Sequence, residues 1–107
     1  MAYTPVRFGP KAGVTSYTDT TSGRYTPSGT YGIVKQVAFA NTAGTSATVT
    51  LGIGSSDAAA NRILSTVTVA ANETLTYNTN IYLTSSEKLY FVTSATTVTV
   101  TINAYEA

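Results

Sequence analysis

From Ala47 to Val69, and again from Leu89 to Tyr105, apolar and small polar residues alternate almost without interruption. In Ala47-Thr48-Val49-Thr50-Leu51-Gly52-Ile53 the apolar side chains fall on every second position, and Val98-Thr99-Val100-Thr101-Ile102-Asn103-Ala104 repeats the pattern near the other end. A period of two sends one set of side chains to a core and the other to water, as a half-buried strand requires. Slipping such a strand by one residue turns every valine outward, so the alternation also specifies register. The chain therefore reads as layered β structure.

Turn signals divide this pattern into short strands. The spacing predicts a strand ending at Ala40, with Ile33, Val37 and Phe39 on one parity and Lys35 as the odd member. Asn41-Thr42-Ala43-Gly44-Thr45 has the composition of a hairpin loop, after which Ala47 to Ile53 is expected to pair back antiparallel. Gly52-Ile53-Gly54 reads as a strand end with a tight bend, and Ala58 to Asn61 has room for one helical turn. The next strand, Ile63 to Val69, is expected to face Ile63, Val67 and Val69 inward. Breaks at Ala71-Asn72-Glu73, Asn78-Thr79-Asn80, Ser85-Ser86-Glu87 and Ser94-Ala95 leave strands near Thr74 to Tyr77, Ile81 to Leu83, Lys88 to Thr93 and Thr97 to Tyr105. Residues 1–32 differ: they hold all three prolines and Tyr3, Phe8, Tyr17, Tyr25 and Tyr31, with only scattered aliphatics. They read as an extended N-terminal arm, with short strands near Val14 to Thr18 and Arg24 to Thr26, ahead of a sandwich core at 33–107. Such an arm either wraps its own domain, covering a sheet edge with aromatics, or reaches another subunit.

At 107 residues this is one domain with a single core, near the size where burial only modestly exceeds the conformational entropy lost on folding. Only 10% of residues are charged, against a usual quarter, and about a fifth are threonine, so hydroxyls carry solubility. Short hydroxyl side chains lose little entropy at a contact, which suits packing against neighbours; β-branched threonine also favours strands by itself. Few lysines guard the strand edges, so the edges are expected to be covered by the arm or by another protein. The net charge of +1, with no basic run, excludes a nucleic-acid footprint. Arg7, Lys11 and Arg24 against Asp19 make the first third slightly basic and the remainder slightly acidic. No stretch has the length of a membrane span and Met1 to Arg7 has no apolar signal region, so assembly in the cytosol and no membrane partner are expected.

The chemistry available is narrow. The chain has no histidine and no cysteine, which removes hydrolytic triads, thiolate nucleophiles and the preferred zinc ligands. Glu73 and Glu87 lie in turns, and Asp57 stands alone in its loop, so neither a paired-carboxylate site nor a calcium site is expected. No lysine or helix pattern follows Gly52-Ile53-Gly54 to make a phosphate cradle. Tyr77, Tyr82 and Tyr90 suggest a stacking platform for sugars, set against half-buried structural use. The expectation is a chain that is not an enzyme and holds no cofactor or metal.

Tyr25-Thr26-Pro27-Ser28-Gly29-Thr30-Tyr31-Gly32-Ile33-Val34-Lys35-Gln36-Val37 and Ala40-Asn41-Thr42-Ala43-Gly44-Thr45-Ser46-Ala47-Thr48-Val49-Thr50-Leu51 resemble small β-sandwich virion proteins of tailed bacteriophages. The likeness continues through Asn61-Arg62-Ile63-Leu64, Val69-Ala70-Ala71-Asn72-Glu73-Thr74-Leu75 and Ser85-Ser86-Glu87-Lys88-Leu89, over roughly the last three-quarters of the chain. Residues 1–24 do not follow the pattern. The resemblance implies an accessory structural part of a virion, often a trimer or other symmetric assembly. The fold expected is an all-β antiparallel sandwich, jelly-roll or immunoglobulin-like, with an extended N-terminal arm. The function expected is capsid decoration, a cement bound to the major capsid protein, with a small tail or fibre component that engages a host glycan as the alternative. A cellular carbohydrate-binding or adhesion module is a third class. In the capsid reading Tyr3, Phe8, Tyr17 and Tyr25 supply rigid contact area, and Arg7, Lys11 and Arg24 meet coat carboxylates.

Overall fold

The computed structural model describes residues 3–17 and 23–107. Eight strands follow one another: β1 (Thr4–Ala12), β2 (Arg24–Tyr25), β3 (Tyr31–Asn41), β4 (Ala47–Ile53), β5 (Arg62–Val69), β6 (Thr74–Thr84), β7 (Leu89–Thr93) and β8 (Val98–Glu106). A single 3₁₀ turn, Ala59–Asn61, precedes β5, where the sequence left room for one helical turn. The strands form two four-stranded antiparallel sheets, ordered β1-β8-β3-β6 and β2-β7-β4-β5. Within these sheets the first strand pairs with the eighth, the second with the seventh, the third with the sixth and the fourth with the fifth. That is one long hairpin rolled up on itself, so of the two topologies left open by the sequence the chain takes the jelly roll.

The core fills the space between the sheets. Val34, Val37, Phe39, Leu83, Val98, Val100 and Ile102 project from the first sheet onto Val49, Leu51, Leu89 and Phe91 of the second, all fully buried. Each such side chain contributes roughly 1.5–3 kcal/mol over its exposed state, so this seam is the main source of stability.

Three sequence expectations give way to the roll. First, β3 and β4 do not form a hairpin: β3 lies between β6 and β8, and β4 between β5 and β7. The loop between them crosses from one sheet to the other, and Asn41 makes the corner. Its side chain, 2% exposed, donates to the carbonyls of Thr45 (2.9 Å), Val69 (3.3 Å) and Ala70 (3.3 Å) and accepts from the Ala43 amide at 3.1 Å. Those bonds tie this crossover to the one that leaves β5, and they satisfy backbone groups that a buried corner would otherwise orphan.

Second, Asn78-Thr79-Asn80 is not a turn. β6 runs through it, and the extra residue is absorbed as a bulge against β3, where Val34 pairs with Ile81 and Gln36 with Asn78. On β3 itself Lys35 is an extra residue relative to β8, since Val34 faces Ala104 and Gln36 faces Asn103. Lys35 and Gln36 therefore both point outward. The parity flips there, placing Ile33 on the outer face while Val37 and Phe39 stay in the core.

Third, β5 carries a bulge at Ser65–Thr66, where Val67 pairs with Val49 but Leu64 pairs with Leu51. Thr66 takes a φ of 48°, rare for a β-branched residue, and its amide donates to Thr50 Oγ1 at 3.1 Å. Leu64 thereby turns to the core in place of Ile63, which is exposed.

The extended N-terminal stretch is laid into the roll. β1 pairs with β8 from Thr4 to Ala12, and Val6 and Phe8 pack against the core; β2 pairs with β7 through Arg24 and Tyr25. Residues 1–32 thus supply a strand to each sheet. The strand expected from Val14 is not formed over the described part, Val14–Tyr17; there the Gly13 amide bonds Val98 O at 2.7 Å and the Thr93 amide bonds Val14 O at 2.7 Å, so the segment spans between sheets. Thr18 and Asp19 lie outside the described residues.

The parity change on β5 is testable. Leu64→Ala should lower the unfolding free energy in urea by about 2 kcal/mol, and Ile63→Ala should change it by less than about 0.5 kcal/mol. The opposite ranking would restore the unbulged register.

Candidate functional site

Because β1 and β2 end the two sheets on the same side, a cleft opens between them. It has a volume of about 620 Å³ and a floor of Val6, Phe8 and Tyr25. Arg7 of β1, Arg24 of β2 and Lys88, just before β7, line its walls, with Glu106 of β8 as the single carboxylate among the described residues. Four of the seven residues expected to make contact, Arg7, Phe8, Arg24 and Tyr25, are thus brought together. Phe8 and Tyr25 serve the fold first: their rings meet edge-on at 6.0 Å, and Phe8 meets Phe91 at 6.1 Å. Tyr25 is largely buried and meets the cleft only as part of its floor.

Glu106 is engaged by hydroxyls. Tyr25 donates a short hydrogen bond to Oε2, while the Ser28 hydroxyl (2.7 Å) and amide (3.2 Å) donate to Oε1. Burial pushes the Glu106 carboxyl up, but these bonds outweigh it and hold the group below the usual glutamate range. The Tyr25 phenol moves the other way, raised by burial and then by the negative Glu106 it faces. An anchored carboxylate at one end and three cations around the walls give the cleft a net positive lining.

The remaining expected residues lie elsewhere. Tyr17 is buried: its ring stacks on Tyr90 at 4.5 Å and 6°, and its hydroxyl donates to Gly54 O at 2.8 Å. Tyr90 lies over Gly52, where an added Cβ would fall 2.5 Å from Tyr90 Cζ and 2.7 Å from Asn61 O; the close approach of this ring, more than a bend, explains that glycine. The Tyr90 hydroxyl donates to Asp57 at 3.0 Å, and Arg62 grips the same carboxylate with Nε (2.9 Å) and Nη2 (3.1 Å). Arg62 holds Asp57 below the usual aspartate range, and burial pushes the Tyr90 phenol up to about 12. Asp57 is thus a structural partner, and Tyr77 packs against the core, so Tyr77, Tyr82 and Tyr90 share no platform. Lys11 is exposed on β1 beyond the cleft. Among the described residues no cluster of three potential metal-ligating side chains occurs, and no helix is long and apolar enough to cross a membrane.

A second surface was not anticipated from the sequence. On the outer face of the β1-β8-β3-β6 sheet, Pro5, Tyr105, Ile33 and Tyr82 pair in register from strand to strand, making one apolar row across all four strands. Tyr82 is 56% exposed and Tyr105 44%. Tyr31 extends the row, meeting Tyr3 at 5.7 Å and Tyr82 at 5.5 Å between ring centres. A hydrogen bond with Tyr3 holds the Tyr31 phenol above its ordinary value. The signal lay in Tyr82, Tyr105 and Ile33, but it is readable only once the bulge at Lys35 has set Ile33 outward.

These groups fix the pH dependence of stability. Glu106 and Asp57 are depressed, so their contribution is complete above the ordinary carboxylate pKa and is lost as pH falls through the lowered values. Tyr25 and Tyr90 are raised, so theirs is complete below about pH 10 and is lost as pH climbs through the raised values. With no histidine to titrate between, the urea midpoint should stay level from about pH 6 to pH 9 and fall on both sides. A marked slope between pH 6 and 8 would contradict these assignments.

No family model matches this chain, and no curated protein or solved structure matches it.

Proposed function

We propose that this is a non-enzymatic virion protein of the capsid-decoration type, bound to the outer surface of the major capsid protein. One observation carries the reading: Arg7, Arg24 and Lys88 converge on an open, apolar-floored cleft between two edge strands, where Glu106 is the one lining carboxylate among the described residues. An acidic segment of a coat subunit fits that lining, its carboxylates meeting the cations and its apolar side chains the floor. The sequence resemblance to small phage virion proteins supports the same role. The mechanism is mass action: a ligand that binds the assembled shell and not its separated subunits stabilises the shell, and a multimeric cement gains further through effective concentration.

A tail or fibre component that engages a host glycan is the second reading, favoured by the exposed tyrosine row on the sheet face. Co-sedimentation with capsids stripped of accessory proteins separates the two. Decoration gives saturable binding at a symmetric copy number, weakened by salt and reduced about tenfold or more by the double charge reversal Arg24→Glu with Lys88→Glu. Absence of binding, with the protein recovered in purified tails, would move it to the second reading. Removal of residues 1–24 is a poor test, because it strips β1 from β8 and exposes the core beneath Phe8.

A further inference from the structure

The outer face of the β1-β8-β3-β6 sheet carries two parallel rows of different chemistry. The first is the apolar row Pro5, Tyr105, Ile33 and Tyr82; the second lies two residues away along β1 and β8, three along the bulged β3 and four along the bulged β6, and consists of Arg7, Asn103, Gln36 and Asn78, which again pair in register. The rows are about 7 Å apart along β1 and β8, and each is about 14 Å long across the four strands. In the second row the Asn103 side-chain amide donates to Gln36 Oε1 at 3.1 Å and the Gln36 amide donates to Asn78 Oδ1 at 3.2 Å; beside it the Lys35 ammonium bonds Asn80 Oδ1. The amides are thus held in fixed orientation, and each keeps further donors and acceptors for a ligand.

Two grooves, of about 510 and 370 Å³, run along these rows and meet at Lys35 and Tyr105. Arg7 and Lys35 line them, and among the described residues no carboxylate does. We infer that this face is a binding site for a short saccharide bearing a carboxylate, whose sugar faces lie on the tyrosine row and whose hydroxyls and carboxylate meet the amide row, Arg7 and Lys35.

Size and chemistry select this ligand. A stable protein partner needs about 800 Å² of surface with an apolar centre, whereas the apolar surface here is a narrow strip, the row of four side chains with Tyr31 and Tyr3 beside it. Flat rings beside oriented amides suit a ligand with apolar C–H faces and many hydroxyls, since every displaced water is replaced by a hydrogen bond. The two cations add charge-assisted bonds that a neutral sugar cannot make. The bulge at Lys35 is the device that builds the site, because it turns both Lys35 and Gln36 to the outer face.

This inference names the ligand class for the second reading above, but the site does not depend on where in a particle the protein sits. Its test therefore uses the purified full chain alone: calorimetric titration with 3′-sialyllactose and with trigalacturonic acid, against lactose as the neutral control. At least one acidic sugar should bind about tenfold or more tightly than lactose, and Tyr105→Ala and Lys35→Ala should each weaken that binding about tenfold. Lys11→Ala, on β1 outside both the cleft and the grooves, should leave it unchanged. Amide NMR spectra of the variants report whether the fold is kept, and Tyr82→Ala, at the sheet's end strand, provides a second probe of the row if Tyr105→Ala unfolds the chain. Equal affinity of folded Tyr105→Ala, Tyr82→Ala and Lys35→Ala, or no acidic sugar binding at millimolar concentration, would overturn the site. So would loss of capsid binding by folded Tyr105→Ala in a protein that binds no sugar, which would give the face to a protein contact.

Discussion

A rolled hairpin holds only if every strand keeps its apolar parity toward the opposite sheet while the chain repeatedly crosses from one sheet to the other. Those crossings are where a small β domain is most at risk, because they carry backbone groups that no ladder satisfies. Asn41 resolves one of them by bonding three carbonyls and one amide from a single side chain. The loop after β2 is secured differently: Ser28 bonds Glu106, and the Thr30 amide bonds Ala107 O at 2.7 Å, pinning the start of β3 to the end of β8. With the corners fixed, the valine and phenylalanine faces have one way to meet.

Both surfaces assigned to binding are consequences of that constraint. The cleft exists because the roll ends both sheets on the same side, leaving β1 and β2 facing each other without strands beyond them. The tyrosine and amide rows exist because one extra residue at Lys35 reverses the parity of β3, so that Ile33 joins Tyr105 and Tyr82 outside while Val37 remains inside. Arg7 stands at the border of the two, lining both the cleft and the neighbouring groove.

The strands were legible in the sequence wherever the period of two was unbroken, as in β4, β7 and β8. They were misread where a bulge intervened. Asn78-Thr79-Asn80 has turn composition, yet the residues fit an edge strand whose outward positions tolerate asparagine; Ile63 and Leu64 are equally apolar, and the register shifts of β5 against β4, at Ser65–Thr66 and again at Ile63, decide between them. Pairing across the roll was not legible, because a loop such as 42–46 has the same composition whether it closes a hairpin or crosses between sheets. The basic character of Arg7 and Arg24 was visible, but their meeting with Lys88, which is far away in sequence, needed the β2–β7 pairing to bring it about. The packing of Tyr17 and Tyr25 is not readable from their neighbours in sequence, because the rings that bury them, Tyr90 and Phe8, reach them only through the fold.

The low charge of the chain raises the question of how its sheet edges avoid one another, and the four end strands answer it unequally. β1 carries Pro5 and Pro10, which give no amide hydrogen, and a register break between Phe8 and Lys11. β2 is two residues long, and β5 is bent by its bulge. Each is a recognised way of making an edge a poor template. β6 is different: eleven residues, Thr-Leu-Thr-Tyr-Asn-Thr-Asn-Ile-Tyr-Leu-Thr, contain no proline and no charge, and β6 pairs with β3 on one side only. Its one interruption is the bulge at Thr79–Asn80, which increases the local twist and keeps a second strand from lying flat along its whole length. A single bulge is therefore asked to do on β6 what prolines, shortness and bending do on the other three edges, and the same bulged region sets Lys35 and Asn80 beside the tyrosine row.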